Sequence, residues 1–189
     1  DLAYYGGPGL QVTPKPCEDG GAAFEMVSWV KGADENFTVQ YSVRNELGEE
    51  VAAAVRPADQ TKVTVYVPDA EKWNIDNPCL YTVTATLQRR NEAYDEIEVR
   101  AGVRSFSCDP EKGFCINGAW IPLRGVSRHQ DRLYQGNALT REDHYNDAWL
   151  IKELGANTVR LAHYQHSQDF YDACDDLGFV VWAEIPFIS

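Results

Sequence analysis

The chain has 189 residues, 44% of them hydrophobic and 24% charged, with a formal net charge of -12. That length is enough for one or two domains with real cores, and the acidic balance excludes a phosphate-backbone binder, which needs a basic footprint. No run approaches the roughly 20 apolar residues of a membrane-spanning helix, so neither nucleic acid nor membrane is expected as a partner.

Asp1-Leu2-Ala3-Tyr4-Tyr5 lack a basic n-region and an apolar h-region, and the compartment is left open. Up to about residue 105 apolar residues alternate with period two. Leu10–Thr13 and Ala23–Val30 read as strands. Phe37, Val39, Tyr41 and Val43 face one way, and Thr38, Gln40, Ser42 and Arg44 the other. Val51–Val55, Val63–Val67, Tyr81–Leu87 and Glu96–Val103 follow, with turn signals at Asp19-Gly20-Gly21, Asn45–Gly48 and Asn77-Pro78. About seven short antiparallel strands with polar turns predict an immunoglobulin-like β-sandwich of the fibronectin kind over residues 1–105. The five cysteines form no C-x-x-C pair, which favours buried thiols over a metal ribbon or a redox motif.

The period then changes. Asn117-Gly118 between two apolar runs predicts a tight hairpin. Leu123–Val126 is a candidate buried strand. Thr140-Arg141-Glu142-Asp143 fits a capping box, and Tyr145, Ala148, Trp149, Ile151 and Leu154 supply a broad apolar helix face ending at Gly155. Asn157–Ala162 reads as the next strand. Ser167 caps a second helix with Phe170, Tyr171, Cys174 and Leu177 inward, and Gly178 ends it. Phe179–Ala183 is apolar throughout, as in a parallel strand covered on both faces. Residues 106–189 thus predict strand–helix–strand–helix–strand, the start of a (β/α)8 TIM barrel. A closed barrel takes about 250 residues, so this one is incomplete within the chain.

His129, His163 and Glu184 stand at the ends of the three strands, where parallel β/α folds place their active sites. With Arg124, Arg128 and Arg160 they offer the donors and acceptors that a polyhydroxylated ligand needs. A zinc site of His129, His163, His166 and Glu184 competes, without an H-x-H or H-E-x-x-H spacing to support it. Ser127 lies in no G-x-S-x-G elbow, and Gly6-Gly7-Pro8-Gly9 opens no helix to cradle a phosphate.

The stretch Gly118–His129, with Arg124-Gly125-Val126-Ser127-Arg128-His129 at its end, resembles the opening of the catalytic barrel of glycoside hydrolase family 2. That family contains β-galactosidases, β-glucuronidases and β-mannosidases. The resemblance continues through Leu154–Tyr164, Tyr171–Gly178 and Val180–Glu184. Trp73–Tyr81 is similar to a segment before the last strands of the family's immunoglobulin-like domain. The resemblance implies that His129, Arg160 and His163 contact the sugar. It implies supporting roles for Glu184, Arg124 and Arg128. The acid/base and the nucleophile would come from later strands, because no Asn-Glu dipeptide follows residue 105. The catalytic residues would therefore lie outside this chain, and the chain alone would be inactive.

Arg128-His129-Gln130-Asp131 and Gly136–Thr140 look more like the β-galactosidase branch, so a terminal β-galactoside is the expected substrate. A glucuronide, a mannoside or a non-catalytic carbohydrate-binding sandwich are the alternatives. No cofactor is implied for this segment. Some β-galactosidases hold magnesium through a carboxylate and a His after strand three. Here that stretch reads Pro186-Phe187-Ile188-Ser189, leaving magnesium or sodium to the longer enzyme, whose homo-oligomeric state also stays open.

Overall fold

The computed structural model describes residues 1–4 and 7–187. These divide into two compact units: residues up to Lys72 with Cys79–Ser105, and Trp73–Pro78 with the chain from Phe106 onward.

The first unit opens on a short antiparallel pair, β1 (Ala3–Tyr4) with β2 (Gly7–Pro8). The strands that follow are β3 (Leu10–Pro16), β4 (Ala22–Ser28), β5 (Thr38–Arg44), β6 (Glu50–Pro57), β7 (Lys62–Val67), β8 (Tyr81–Arg89) and β9 (Glu92–Ala101). They form two antiparallel sheets in the orders β3-β4-β7 and β6-β5-β8-β9. The expected period-two pattern decides which side chains face inward. Ala22, Phe24 and Met26 of β4 and Val63, Val65 and Val67 of β7 meet Val39, Tyr41 and Val43 of β5 and Tyr81, Val83, Ala85 and Leu87 of β8 in one core. Phe24 packs edge-on to Tyr81 with centroids 5.3 Å apart. The buried hydroxyls of Ser28 and Tyr41 satisfy each other at 2.6 Å, as a polar pair in an apolar core must.

The last sandwich strand starts four residues before the expected Glu96. Arg90 and Asn91, at φ 52° and 64°, make a two-residue turn into β9. The sequence carries little warning of it, because arginine seldom takes positive φ.

In the second unit β10 (Phe106–Asp109), β11 (Gly113–Ile116) and β12 (Ala119–Trp120) form an antiparallel meander. Asn117-Gly118 makes the expected hairpin turn with both residues at positive φ. Next come β13 (Gly125–Arg128), α1 (Arg141–Glu153), β14 (Thr158–Leu161), α2 (Gln168–Leu177) and β15 (Val180–Ala183). The three strands are parallel and adjacent in chain order. Gly125 lies so close to the Thr158 carbonyl that a Cβ has no room. Both predicted caps are present. The Thr140 hydroxyl accepts from the Asp143 amide while the Asp143 carboxylate accepts from the Thr140 amide, and Ser167 caps α2.

Three expectations need correction. The buried stripe of α1 is His144, Ala148 and Ile151, whereas Trp149 and Leu154 are exposed; a helix against one sheet buries one narrow stripe. Leu123–Val126 is not a buried strand: β13 begins at Gly125 and Leu123 and Val126 are exposed, because β13 is an edge of its sheet. β15 is covered by α2 but not on both faces, and Trp182 is 67% exposed.

Residues from within the sandwich stretch of sequence complete the second unit. Trp73 is fully buried there. Its indole N–H donates to the Asp175 carbonyl at 2.8 Å, and its own carbonyl accepts from the Asn117 side-chain amide at 2.9 Å. Lys152 donates to the Ile75 carbonyl. Gly178, at φ 74°, closes α2 directly against the Ile75 backbone, where any Cβ would collide.

Candidate active site

Parallel register sets Arg128, Leu161 and Ala183 level with one another at the carboxyl ends of β13, β14 and β15. The residues just beyond them emerge together. Glu184 accepts from Arg160 Nε at 2.6 Å through Oε1 and meets His163 Nδ1 at 2.9 Å through Oε2. Arg160 Nη2 lies 3.3 Å from the same Nδ1. One nitrogen cannot both donate to a carboxylate and accept from a guanidinium, and the shorter contact to the Glu184 carboxylate favours the Nδ1–H tautomer. Nδ1–H therefore faces Glu184, which leaves Nε2 as the acceptor nitrogen of the ring. The His129 ring stands edge-on to His163 at 5.3 Å. Gln165 donates to the Glu184 carbonyl and is itself held by Tyr171.

The hydrogen bond from Arg160, then that from His163, holds the Glu184 carboxyl below its ordinary value against the opposing effect of desolvation. An anchored anion of this kind is a poor proton donor near neutrality and a good clamp for a cation and an imidazole. Arg160 and Trp182 are cross-strand neighbours on the sheet face away from the helices, and Arg160, His163, Trp182 and Glu184 line one shallow depression. The structure thus brings together His129, Arg160, His163 and Glu184.

It does not bring Arg124 or Arg128 to them. Arg124 precedes β13, and its backbone pairs with Asn157 at the amino end of the sheet. Arg128 turns to the helix side and is 5% exposed. Its Nε and Nη2 donate to Asp147 at 3.0 and 2.6 Å. Nη2 also reaches His144 Nδ1 at 3.1 Å, Nη1 reaches His166 Nδ1 at 3.2 Å, and the guanidinium lies 3.9 Å above the Phe170 ring. Arg132 joins from the loop through Asp143 and Asp147. Burial pushes the Asp147 carboxyl up, but Arg132 and Arg128 outweigh it and leave it below its ordinary value. Side chains alternate along a strand, so Arg128 and its neighbour His129 point to opposite faces.

His144, Asp147 and His166 escape the sequence reading as members of this network. The available signal is a histidine at core spacing on α1, directly after the capping box's Asp143. His166 does not converge with His163 on a metal, since one ring nitrogen faces Arg128 and the other the Ala162 carbonyl. Among the described residues no group of three or more His, Cys, Asp or Glu is placed to hold a metal ion. Of the stretches singled out above, Tyr5, Gly6, Ile188 and Ser189 lie outside the described residues. Cys79, Cys115 and Cys174 are buried, Cys17 is half-buried and Cys108 is exposed.

Residues 9–104 match the family model "Glycosyl hydrolases family 2", and residues 110–189 match "Glycosyl hydrolases family 2, TIM barrel domain". The chain belongs to glycosyl hydrolase family 2. Among the relatives of this family 2 chain is a β-glucuronidase of Bacteroides fragilis, 44% identical over 62% of the chain and 17% of the relative. The β-galactosidase BoGH2A of Bacteroides ovatus is 30% identical over 96% of the chain and 22% of the relative. The crystal structure of an FMN-binding β-glucuronidase from Facaelibacterium prausnitzii L2-6 superposes with a TM-score of 0.97. It is 68% identical over 100% of this chain and 29% of that one. The chain therefore spans less than a third of the length of each of these proteins.

Proposed function

We propose that this segment is part of a retaining exo-β-glycosidase acting on terminal β-D-glucuronides, and that His129, Arg160 and His163 form the wall that holds the sugar. The observation that carries the sugar is the 68% identity, across the whole segment, to a protein named a β-glucuronidase. We weigh it above the preference for galactose taken from Arg128–Asp131 and Gly136–Thr140. A β-galactoside is the second reading, favoured by the match to BoGH2A over nearly the whole segment.

In this reading Glu184 holds Arg160 and His163, whose outward nitrogens meet sugar hydroxyls. A nucleophilic carboxylate attacks the anomeric carbon, and an acid/base carboxylate gives its proton to the leaving oxygen. Water, deprotonated by that same group, then releases the sugar with retention. Such a pair sits about 5–5.5 Å apart, and among the described residues the cluster offers one carboxylate, Glu184, clamped by Arg160 and His163. Both reacting carboxylates therefore belong to strands outside this segment, and residues 1–189 alone have no turnover. The exchange of bonds requires only carboxylates and water, so no cofactor takes part. None of these steps calls on the flavin in the relative's name.

The test is hydrolysis of aryl β-glucuronide, β-galactoside and β-mannoside by the full-length protein, with product stereochemistry read by NMR. We expect retention and a kcat/KM for the glucuronide at least a hundredfold above the others. A galactoside preference overturns the sugar assignment, and turnover of none of the three overturns the glycosidase reading.

A further inference from the structure

Behind the candidate sugar-holding wall, the buried Arg128 network reaches His163 through one side chain. A guanidinium has only donors, so the His166 Nδ1 that faces Arg128 Nη1 at 3.2 Å must offer its lone pair. The ring proton then sits on Nε2, which donates to the Ala162 carbonyl at 3.2 Å. That carbonyl belongs to the peptide leading into His163. The Ala162 amide in turn donates to the Arg128 carbonyl at 3.1 Å. A closed path therefore runs from Asp147 and Arg128 through His166 to Ala162 and back to β13. His166 is 7% exposed, and Phe170 of α2 and Tyr164 flank its ring at 6.1 and 5.2 Å. Burial and the groups around it hold its pKa below the ordinary value and favour the neutral ring. Burial acts first, and Arg128, His129 and His144 add to it, outweighing the bond to Ala162.

We propose that His166 is a positioning residue: its Nε2–H fixes the Ala162 carbonyl, and so sets His163 at the distance from Glu184 and His129 that the sugar requires. The inference rests on the glycosidase reading for its kinetic consequence but not for its structural one. His166 itself touches no substrate.

Two conservative variants separate the two ends of the imidazole. His166→Asn keeps an acceptor for Arg128 and loses the donor to Ala162. His166→Gln places an amide donor where Nε2 stands. In the full-length protein, on the best aryl glycoside, H166N should lose at least tenfold in kcat/KM, chiefly through a raised KM. H166Q should stay within about threefold of the parent. Both should melt within a few degrees of each other. Equal losses in the two variants, or parent-like kinetics in H166N, overturn the proposal. Imidazole nitrogen NMR reads the same point without substrate. The parent should show His166 as the Nε2–H tautomer, and the His163 signals should move in H166N but not in H166Q. A His166 found as the Nδ1–H tautomer overturns the proposal even if the protein hydrolyses nothing, and that inactivity would itself count only against the function.

Discussion

The two units solve the same burial problem differently. The sandwich closes its core with two sheets face to face, and each strand alternates between core and solvent. The β/α unit covers its sheet with α1 and α2 on one side, while Trp182 stays exposed on the other. It also completes its packing with Trp73–Pro78, borrowed from the middle of the sandwich sequence. The sandwich core is held mainly by apolar contact. The β/α unit adds a buried guanidinium, two imidazoles and a carboxylate behind its candidate site. Such a network orients functional groups at a cost in robustness, because each member left unpaired carries a desolvation penalty.

The largest test of this contrast is Trp73→Ala. Truncating a fully buried tryptophan costs about 3–5 kcal/mol, and here it also removes the donor to Asp175. Hydrogen exchange resolved by peptide should show lost protection in residues 141–183, with β3–β8 nearly unchanged. Loss confined to the sandwich peptides would break the assignment of this segment to the second unit.

Acid should separate the units next. His144 and His166 titrate below their ordinary value in the fold, each chiefly because of burial and then the nearby Arg128 charge. Below about pH 6.5 the unfolded chain takes up protons that the folded one refuses, so stability falls as pH falls. The bound is about 1.4 kcal/mol per histidine per pH unit. A further loss follows in the carboxylate range. Asp147 is held low, and Asp143 is brought to about 2, chiefly by the Thr140 amide, then by the Thr140 hydroxyl and Gln135. The sandwich has no histidine before residue 106 and should melt alike at pH 7.5 and 5.5. Equal acid sensitivity of both units would refute the contrast.

The smallest effect is Thr140→Ala, which removes the α1 cap at a cost of about 1 kcal/mol. It should loosen the Asp143–Arg132 edge of the buried network, giving a melting shift of a few degrees in the second unit only.

Much of this was legible in the chain. Alternation at Val63–Val67 and Tyr81–Leu87 announced strands because a sheet with one wet face must alternate. Asn117-Gly118, Thr140, Ser167 and Gly178 marked turns and helix ends through local backbone chemistry. His129, His163 and Glu184 could be placed at strand ends, and the helices between them imply a parallel sheet that gathers those ends. The direction of Arg128 was not legible, since period two says that neighbours diverge but not which one meets the helices.

Sequence by itself therefore determined most of the strands and both helices, their order, the resemblance to the family and the four residues of the surface cluster, all of which depend on local or periodic signals. Only the tertiary structure decided that Arg128 turns inward to His144 and His166, that Trp73 packs with the β/α unit, and that Trp182 lies bare. Those outcomes depend on which surfaces meet across long separations in the chain, and burial and pairing there are set by packing partners that no local pattern names.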